Sequence, residues 1–554
     1  MATSKTSGPV PDNGFDPEKL DRTAIALPLL DLLKSSHKPL RKRSGSVKER
    51  SAATLWPQLF NVIIDPHLSF PDGREKARDR ICELIKILCT EDQTLWQGAS
   101  DLPKLRATKT ALSRQYVFAR LSEKMVRELV KRDRLAKPKS RTRAHGRAIY
   151  RIWPDFEVHA RIDQSIRTVK ADAAGNAFGT AGASIVWAVL DSGIDALHPH
   201  FEAFRNLDLS HDALLAHKDL SDGDGPNTAL IDRYGHGTHV AGIIAGQIDG
   251  KGRAVARTRR RDETGEVSYD HRMLDRMSGM APRCKLLSLK VLADNGAGEA
   301  SSVIVALEYI QQLNEYGRLL RVHGVNLSAG YKFEPEWFAC GQSPLCVEVD
   351  RLVKSGVVVV VAAGNTGYGQ TRSIARGDWP AGLPLTINDP GNAELAITVG
   401  STHREMPHVY GVSYFSSKGP TGDGRAKPDL VAPGEKIISC TSAWAAKYWD
   451  DPKPDPAVLT EKLASWQKPA ADLGAALAAN APPSVGRYRE DSGTSMAAPH
   501  VSGVIAAFLS VRREFIGRPE RVKEIFTSTA TDLKRERSFQ GAGLVDLMRA
   551  IQSV

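Results

Sequence analysis

SIVWAVLDSGID, residues 184–195, is an apolar, β-branched run that stops at Asp191, with Ser192 and Gly193 directly after it. A short unbroken run of this kind reads as a strand buried on both faces, and the serine–glycine pair as its turn. Working outward, the same unit recurs. KLLSLKVL (285–292), GVNLSAG (324–330), GVVVVVAAG (356–364) and LAITVG (395–400) are further buried strands. Between them, SSVIVALEYIQQLNEY (301–316) and PLCVEVDRLVKSG (344–356) have helical spacing. Strand–helix alternation predicts an α/β domain: a mostly parallel sheet with helices on both faces, its functional groups gathered at the carboxyl ends of the strands. Asp191 stands at such an end.

The remaining composition bounds the answer. At 554 residues the chain is too long for one small fold, and 42% hydrophobic with 25% charged residues is ordinary globular usage, which excludes collagen-like and wholly disordered chains. The longest apolar run, VVVVVAA (357–363), is far short of the roughly 20 residues that cross a bilayer. The opening residues MATSKTSGPVPDNGFDPEKL lack the apolar segment of a secretory signal, and the six cysteines show no CxxC spacing. A cytoplasmic protein with free thiols is expected.

The net charge of +11 is unevenly placed. Residues 1–150 hold 30 Lys and Arg against 17 Asp and Glu, whereas the rest hold 45 against 47. Residues 1–50 read as a disordered basic segment apart from the apolar stretch Ile25–Leu33. Residues 51–135 read as a helical module, because Ile81, Leu84, Ile85 and Leu88, and again Leu121, Met125 and Leu129, share single helix faces. Residues 136–160 read as a basic linker, continuing the charge run KRDRLAKPKSRTRAHGR (131–147), followed by the strand-like IYRIWPDFEV (149–158). No nucleic-acid-binding signature accompanies the charge, so a solvated linker is the favoured reading over an anion-binding patch.

Three segments carry chemistry. Asp191 closes its strand. In YGHGTHVAGIIAG (234–246), glycines crowd His236 at a helix start, and His239 is the better candidate for a merely structural imidazole. In DSGTSMAAPHVSGVIAAFL (491–509), Ser495 opens an apolar helix behind a Gly493–Thr494 entry. Each alone has a bland explanation as a turn, a buried histidine or a helix cap. Together they supply what a serine nucleophile needs, a base to take its proton and an acid to fix and stabilise that base. VVVVVAAGNTG (357–367) adds Asn365 just past a buried strand, an amide able to donate to a developing oxyanion.

With LDSGID (190–195), HGTHVAG (236–242), AAGN (362–365), FSSKGP (415–420), KPDLVAPG (427–434) and GTSMAAPHVSG (493–503) present in order, residues 161–554 resemble a subtilisin-like (S8) serine peptidase. The resemblance implies a subtilisin-like three-layer α/β domain after a small, mainly helical N-terminal region. It also implies serine endopeptidase activity, with Asp191 as orienting acid, His236 as general base, Ser495 as nucleophile and Asn365 in the oxyanion hole. An extended peptide would add as a strand between NGAGE (295–299), through Gly298, and NLSAG (326–330). Ser328, Ala329 and Gly330 would line one wall of the primary pocket and Ala363 and Gly364 the other, admitting a bulky apolar side chain. The pocket floor falls in DWPAGLPLTINDPGN (378–392).

The chain departs from the family pattern in places. Where the family often has an aspartate after His-Pro that ligates calcium, DALHPHF has His200, a poor ligand for a hard cation. Asp222 and Asp224 in SDGDG could bind a cation but are favoured as turn residues, so no cofactor is expected and calcium is left without an identified site. Two insertions are large: 247–277, containing RTRRRDETGEV (257–267), reads as an exposed loop, and 443–490, with Trp444, Tyr448, Trp449 and Trp466, as a lid or a peripheral subdomain. PDFEVHARIDQSIRTVKADAA (154–174) resembles a propeptide junction, so residues 149–160 are expected to end a prosegment and occupy the cleft of a zymogen. The expected partners are a peptide or protein substrate and a regulatory partner of the N-terminal module, without nucleic acid or membrane. Two other readings remain open at this stage, an idle peptide-binding homologue and a nucleic-acid-responsive regulator with proteolytic output.

Overall fold

The computed structural model describes residues 24–26, 29, 30, 32, 33, 57–68, 70, 73–91, 93–96, 99, 101–134, 147–155, 157–160, 167–221, 227–261, 266–333, 340–373, 377–445, 454–466 and 485–554. Most of the basic run 131–147, with Asp222, Asp224, Tyr448 and Trp449, lies outside them. The chain divides into two compact units. One comprises residues 1–106 and 115–154, and the other residues 107–114, 155–335 and 339–554.

In the first unit, strands β1 (Leu59–Pro66), β2 (Lys104–Leu105), β3 (Val117–Ser122) and β4 (Ile149–Pro154) form an antiparallel sheet in the order β2-β3-β1-β4. The helices Gly73–Glu91 and Glu123–Arg134 pack against it. Ile81, Ile85, Leu88, Met125 and Leu129 are buried with Val62, Ile64, Val117, Leu121 and Ile152, and Ile25, Leu29 and Leu33 join them. The face of Ile81, Ile85 and Leu88 is therefore where its spacing puts it, but Leu121 lies in β3 and not on the helix that carries Met125 and Leu129, and the module is α+β and not helical alone. A window tuned to 3.6-residue spacing passes over LFNVIIDP and VFARLS, because a strand buried against helices lacks polar alternation.

The second unit is built on seven parallel strands in the order β18-β17-β14-β12-β6-β10-β7. In chain order the strands of this unit are β5 (Glu157–Ala160), β6 (Val186–Asp191), β7 (Lys218–Asp219), β8 (Gln247–Arg261), β9 (Val267–Ser278), β10 (Lys285–Lys290), β11 (Ala297–Glu299), β12 (Gly324–Leu327), β13 (Ala329–Gly330), β14 (Val358–Ala362), β15 (Tyr368–Ser373), β16 (Gly377–Gly382), β17 (Ile397–His403), β18 (Leu430–Glu435), β19 (Ile437–Cys440) and β20 (Gly486–Asp491). Trp187, Val189, Val358 and Val360 pack with the helices His236–Ile244 and Thr494–Val511 in one large core. Alternate residues of each strand face the other side, and the fold is the three-layer α/β arrangement the strand–helix rhythm predicts. Among the described residues only Thr494–Val511 is long and apolar enough to cross a membrane, and it is a buried core helix.

The insertion 247–277 is not a loop. β8 and β9 pair along a long antiparallel hairpin whose base buries Ile248, Ala254 and Ala256, and β8 continues a sheet with β20 and β19. In the 443–490 insertion, helix Pro456–Trp466 buries Leu459 in the main core and pairs Lys462 with Glu202 at 3.2 Å. Trp444 is buried, its indole N–H donating to Asp195 at 3.2 Å.

Candidate active site

β6 delivers Asp191 to the carboxyl edge of the sheet, where it is almost fully buried. His236 opens a helix whose preceding residue, Gly235, has φ +85°, a left-handed conformation that glycine takes without strain. The His236 Nδ1 lies 2.8 and 2.9 Å from the two Asp191 carboxylate oxygens. Ser192 N–H donates to Asp191 at 2.7 Å, fixing the carboxylate from behind. Gly237 has to be glycine, since a Cβ there would fall 2.1 Å from the Gly193 carbonyl and 3.1 Å from Asp191 Cβ. The acid–base pair thus exists because two backbones approach more closely than any side chain allows.

Asp232 was not singled out in the sequence, yet it organises this corner. It is fully buried and accepts from Gly235 N–H (2.6 Å), Thr238 N–H (2.8 Å), Thr238 Oγ1 (2.6 Å) and Ser192 Oγ (2.8 Å). Burial pushes its carboxyl up and these four donors oppose that. Its signal is positional: an acid just ahead of a glycine-bounded helix start, able to take the orphan N–H groups of the first turn. His239, by contrast, is structural. It is fully buried with Nε2 3.3 Å from the Arg489 carbonyl, and desolvation together with the Arg489 charge holds it well below the usual histidine range.

Ser495 is the second residue of the helix Thr494–Val511 and is nearly buried. Its hydroxyl donates to the Ser328 carbonyl at 2.9 Å, so in this structure its proton is directed at Ser328 and not at the imidazole. The pairing is reciprocal, because Ser328 Oγ donates to the Ser495 carbonyl at 2.8 Å. Asn365, just beyond β14, accepts from Thr494 N–H at 2.8 Å and from Thr494 Oγ1 at 3.1 Å through its Oδ1. An amide whose oxygen takes a backbone N–H cannot be flipped, so its NH₂ end is committed to the opposite side.

The residues expected to line a substrate groove lie on β11, on and just before β13, and in the segment after β14. β5 lies antiparallel between β11 and β13, pairing His159 with Ala297 and Gly330, Val158 with Gly298, Glu157 with Glu299 and Ala160 with Ala329. Gly298 and Gly330 have no room for a Cβ, which would sit 2.6 Å from the Val291 carbonyl and 2.5 Å from the Asp389 carbonyl respectively. Ala363 is buried, while Gly364 meets Asn388, whose Cγ is 2.6 Å from a Cβ built on that glycine. The stretch 378–392 therefore reaches the pocket through Asn388 and through Asp389, which bridges Tyr331.

The segments entering from the N-terminal side are anchored beside the groove. Asp155 accepts from Ser301 N–H at 2.7 Å and from the Ser301 hydroxyl, capping the helix Ala300–Leu313 that follows β11. The buried Lys109 bonds Glu299 at 3.0 Å and Ser302 at 2.7 Å. Ser113 Oγ and Arg114 N–H donate to Glu308 at 2.7 and 2.8 Å. Burial, then the neighbouring Glu299 charge, pushes the Asp155 carboxyl up to about 7 against the pull of Lys109. His200 is buried with Nδ1 3.1 Å from the Tyr488 hydroxyl, and desolvation pushes it down to about 3, so it stands as a neutral packing residue.

A buried Asp–His pair at the carboxyl edge of a parallel sheet stands in the same α/β unit as a helix-opening serine and a fixed amide. The model of the subtilase family (Peptidase_S8) matches residues 182–544, and the chain belongs to that family. It is similar to the serine protease AprX of Bacillus subtilis (strain 168), 27% identical over 413 residues covering 73% of this chain and 74% of AprX. Subtilisin E of the same organism is 26% identical over 434 residues, covering 78% and 80%. Pyrolysin of Pyrococcus furiosus is 28% identical over 360 residues, which are 58% of this chain but 21% of pyrolysin. The protein is a subtilisin-like serine endopeptidase.

Proposed function

We propose that the chain hydrolyses peptide bonds through an acyl-enzyme formed on Ser495, with His236 as general base and Asp191 as its orienting acid. The observation that carries this reading is the His236 Nδ1–Asp191 bond at 2.8 Å in a fully buried setting, which fixes the tautomer and leaves Nε2 as the base. For attack, the Ser495 hydroxyl rotates from the Ser328 carbonyl toward Nε2. Oγ then adds to the scissile carbonyl as its proton passes to the imidazole. Asn365, held by Thr494, donates to the resulting oxyanion. The imidazolium returns the proton to the leaving amine, and water repeats the sequence to release the acid product. This chemistry calls for no metal or cofactor. The expected result for His236→Ala is loss of at least about 10³ in kcat on a fluorogenic peptide, and unchanged hydrolysis removes the reading.

The same reading includes control by the N-terminal region. An extended substrate needs the backbone edges of β11 and β13, and β5 already pairs with both. We read residues 155–160 as a tail that blocks the groove, with Asp155 and the 107–114 segment as its anchors, so that the chain behaves as a zymogen. The four buried free thiols, Cys284, Cys340, Cys346 and Cys440, support a reducing, cytoplasmic location and a protein or peptide substrate found there.

A further inference from the structure

Arg489 is a buried cation that the mechanism above does not use. It sits on β20, six residues before Ser495, opposite Ser439 of β19 on one side and Arg257 of β8 on the other. Its side chain is 4% exposed. Nη1 donates to the Gly235 carbonyl at 2.9 Å, while Nε and Nη2 reach one Asp491 oxygen at 3.3 and 3.2 Å. Its own carbonyl meets His239 Nε2 one turn into the histidine helix.

The Gly235 carbonyl belongs to the peptide group that carries the His236 nitrogen. Its other neighbour, the Gly235 N–H, is held by Asp232 at 2.6 Å. Gly235 is in the left-handed region and has no side chain to restrict it, so this corner has little stiffness of its own. Two buried charged groups hold it instead, Asp232 from the amide side and Arg489 from the carbonyl side. Arg489 alone is rooted in the strand that leads to the nucleophile. A guanidinium suits the task because its planar fork binds the carbonyl and the carboxylate at once, in fixed relative directions.

We propose that Arg489 is a positioning residue that sets the spacing between the base and the nucleophile by clamping the His236 peptide plane to β20, the strand that leads to Ser495. The proposal rests on the assignment of His236 and Ser495 as base and nucleophile. A displacement of about 1 Å at a reacting group costs on the order of 10² in rate, so loss of the clamp falls on kcat and spares substrate binding.

The test uses the full chain. Because removing Arg489 alone leaves Asp491 without its cation, the variant is the double Arg489→Met/Asp491→Asn, measured beside Arg489→Lys, Ser495→Ala and wild type on one fluorogenic peptide, with thermal unfolding of each. The double variant is expected to unfold cooperatively, to lose about 10- to 100-fold in kcat and to keep KM within about threefold. Arg489→Lys keeps a charge and a donor but not the fork, and is expected to recover most of that loss, ending about three- to tenfold below wild type. Full kcat in the folded double variant, or a loss confined to KM, overturns the proposal. If the double variant does not fold, Arg489→Lys decides, and wild-type kcat there overturns it. Activity retained by Ser495→Ala overturns the underlying assignment instead, a different outcome from failure of the clamp.

Discussion

Replacing His159 with proline should open the groove. His159 is the one position of β5 that faces residues on both flanking strands, Ala297 and Gly330, so its amide lies in the ladder whichever side it bonds. Proline removes that donor and leaves a carbonyl of β11 or β13 unpaired. A lost ladder bond is worth roughly 0.5–1.5 kcal/mol and an orphaned acceptor roughly 1–3. Together they weaken the tail by about 2–4 kcal/mol, or roughly 30- to 1,000-fold in the closed-to-open ratio. The assay is the initial rate on a short fluorogenic peptide, held well below KM, with intact-mass measurement to show that the chain is uncut. The rate should rise by that factor or until every molecule is open. An uncut variant with a rate within twofold of wild type refutes the blocking role of β5.

Other consequences follow from the same geometry. With Asp155 raised to about 7 in the docked state from an ordinary 3.8, docking binds a proton more tightly than release does. Its contribution is therefore greatest at low pH and fades as pH rises toward 7, so the rate of wild type relative to Asp155→Asn should climb between pH 5 and 7.5, and a flat ratio contradicts this. Asn365→Leu should lower kcat by about 10²–10³, the usual cost of one oxyanion donor, with KM nearly unchanged; a loss in KM alone would argue for a structural role. Gly237→Ala drives a methyl into the Gly193 carbonyl and toward Asp191, so it should destabilise by about 1–3 kcal/mol and cut kcat at least tenfold, read by thermal unfolding and steady-state rates.

Much of this was legible from the chain because the informative features are local. Strands such as GVVVVVAAG and the glycine-crowded HGTHVAG announce their conformation through their own composition, and the structure pairs Asp191 with His236 rather than His239. What escaped depends on partners distant in sequence. Arg489 looks like a strand residue until folding carries β20 beside the histidine helix. The hairpin β8–β9 read as a loop because Arg257–Arg261 suggests solvent, yet a hairpin whose outer strand β9 is the sheet edge can carry charge while burying Ile248, Ala254 and Ala256 at its base. The sheet behind helix Gly73–Glu91 escaped for the complementary reason, since its strands are short and apolar enough to pass as helix.

The central claim, nucleophilic attack by Ser495, is tested most directly by mapping a fluorophosphonate adduct by mass spectrometry on the His159→Pro chain. One adduct per molecule is expected on Ser495, absent from the Ser495→Ala form and greatly slowed by His236→Ala. An adduct on a different residue, or labelling that survives Ser495→Ala at the original rate, would contradict it.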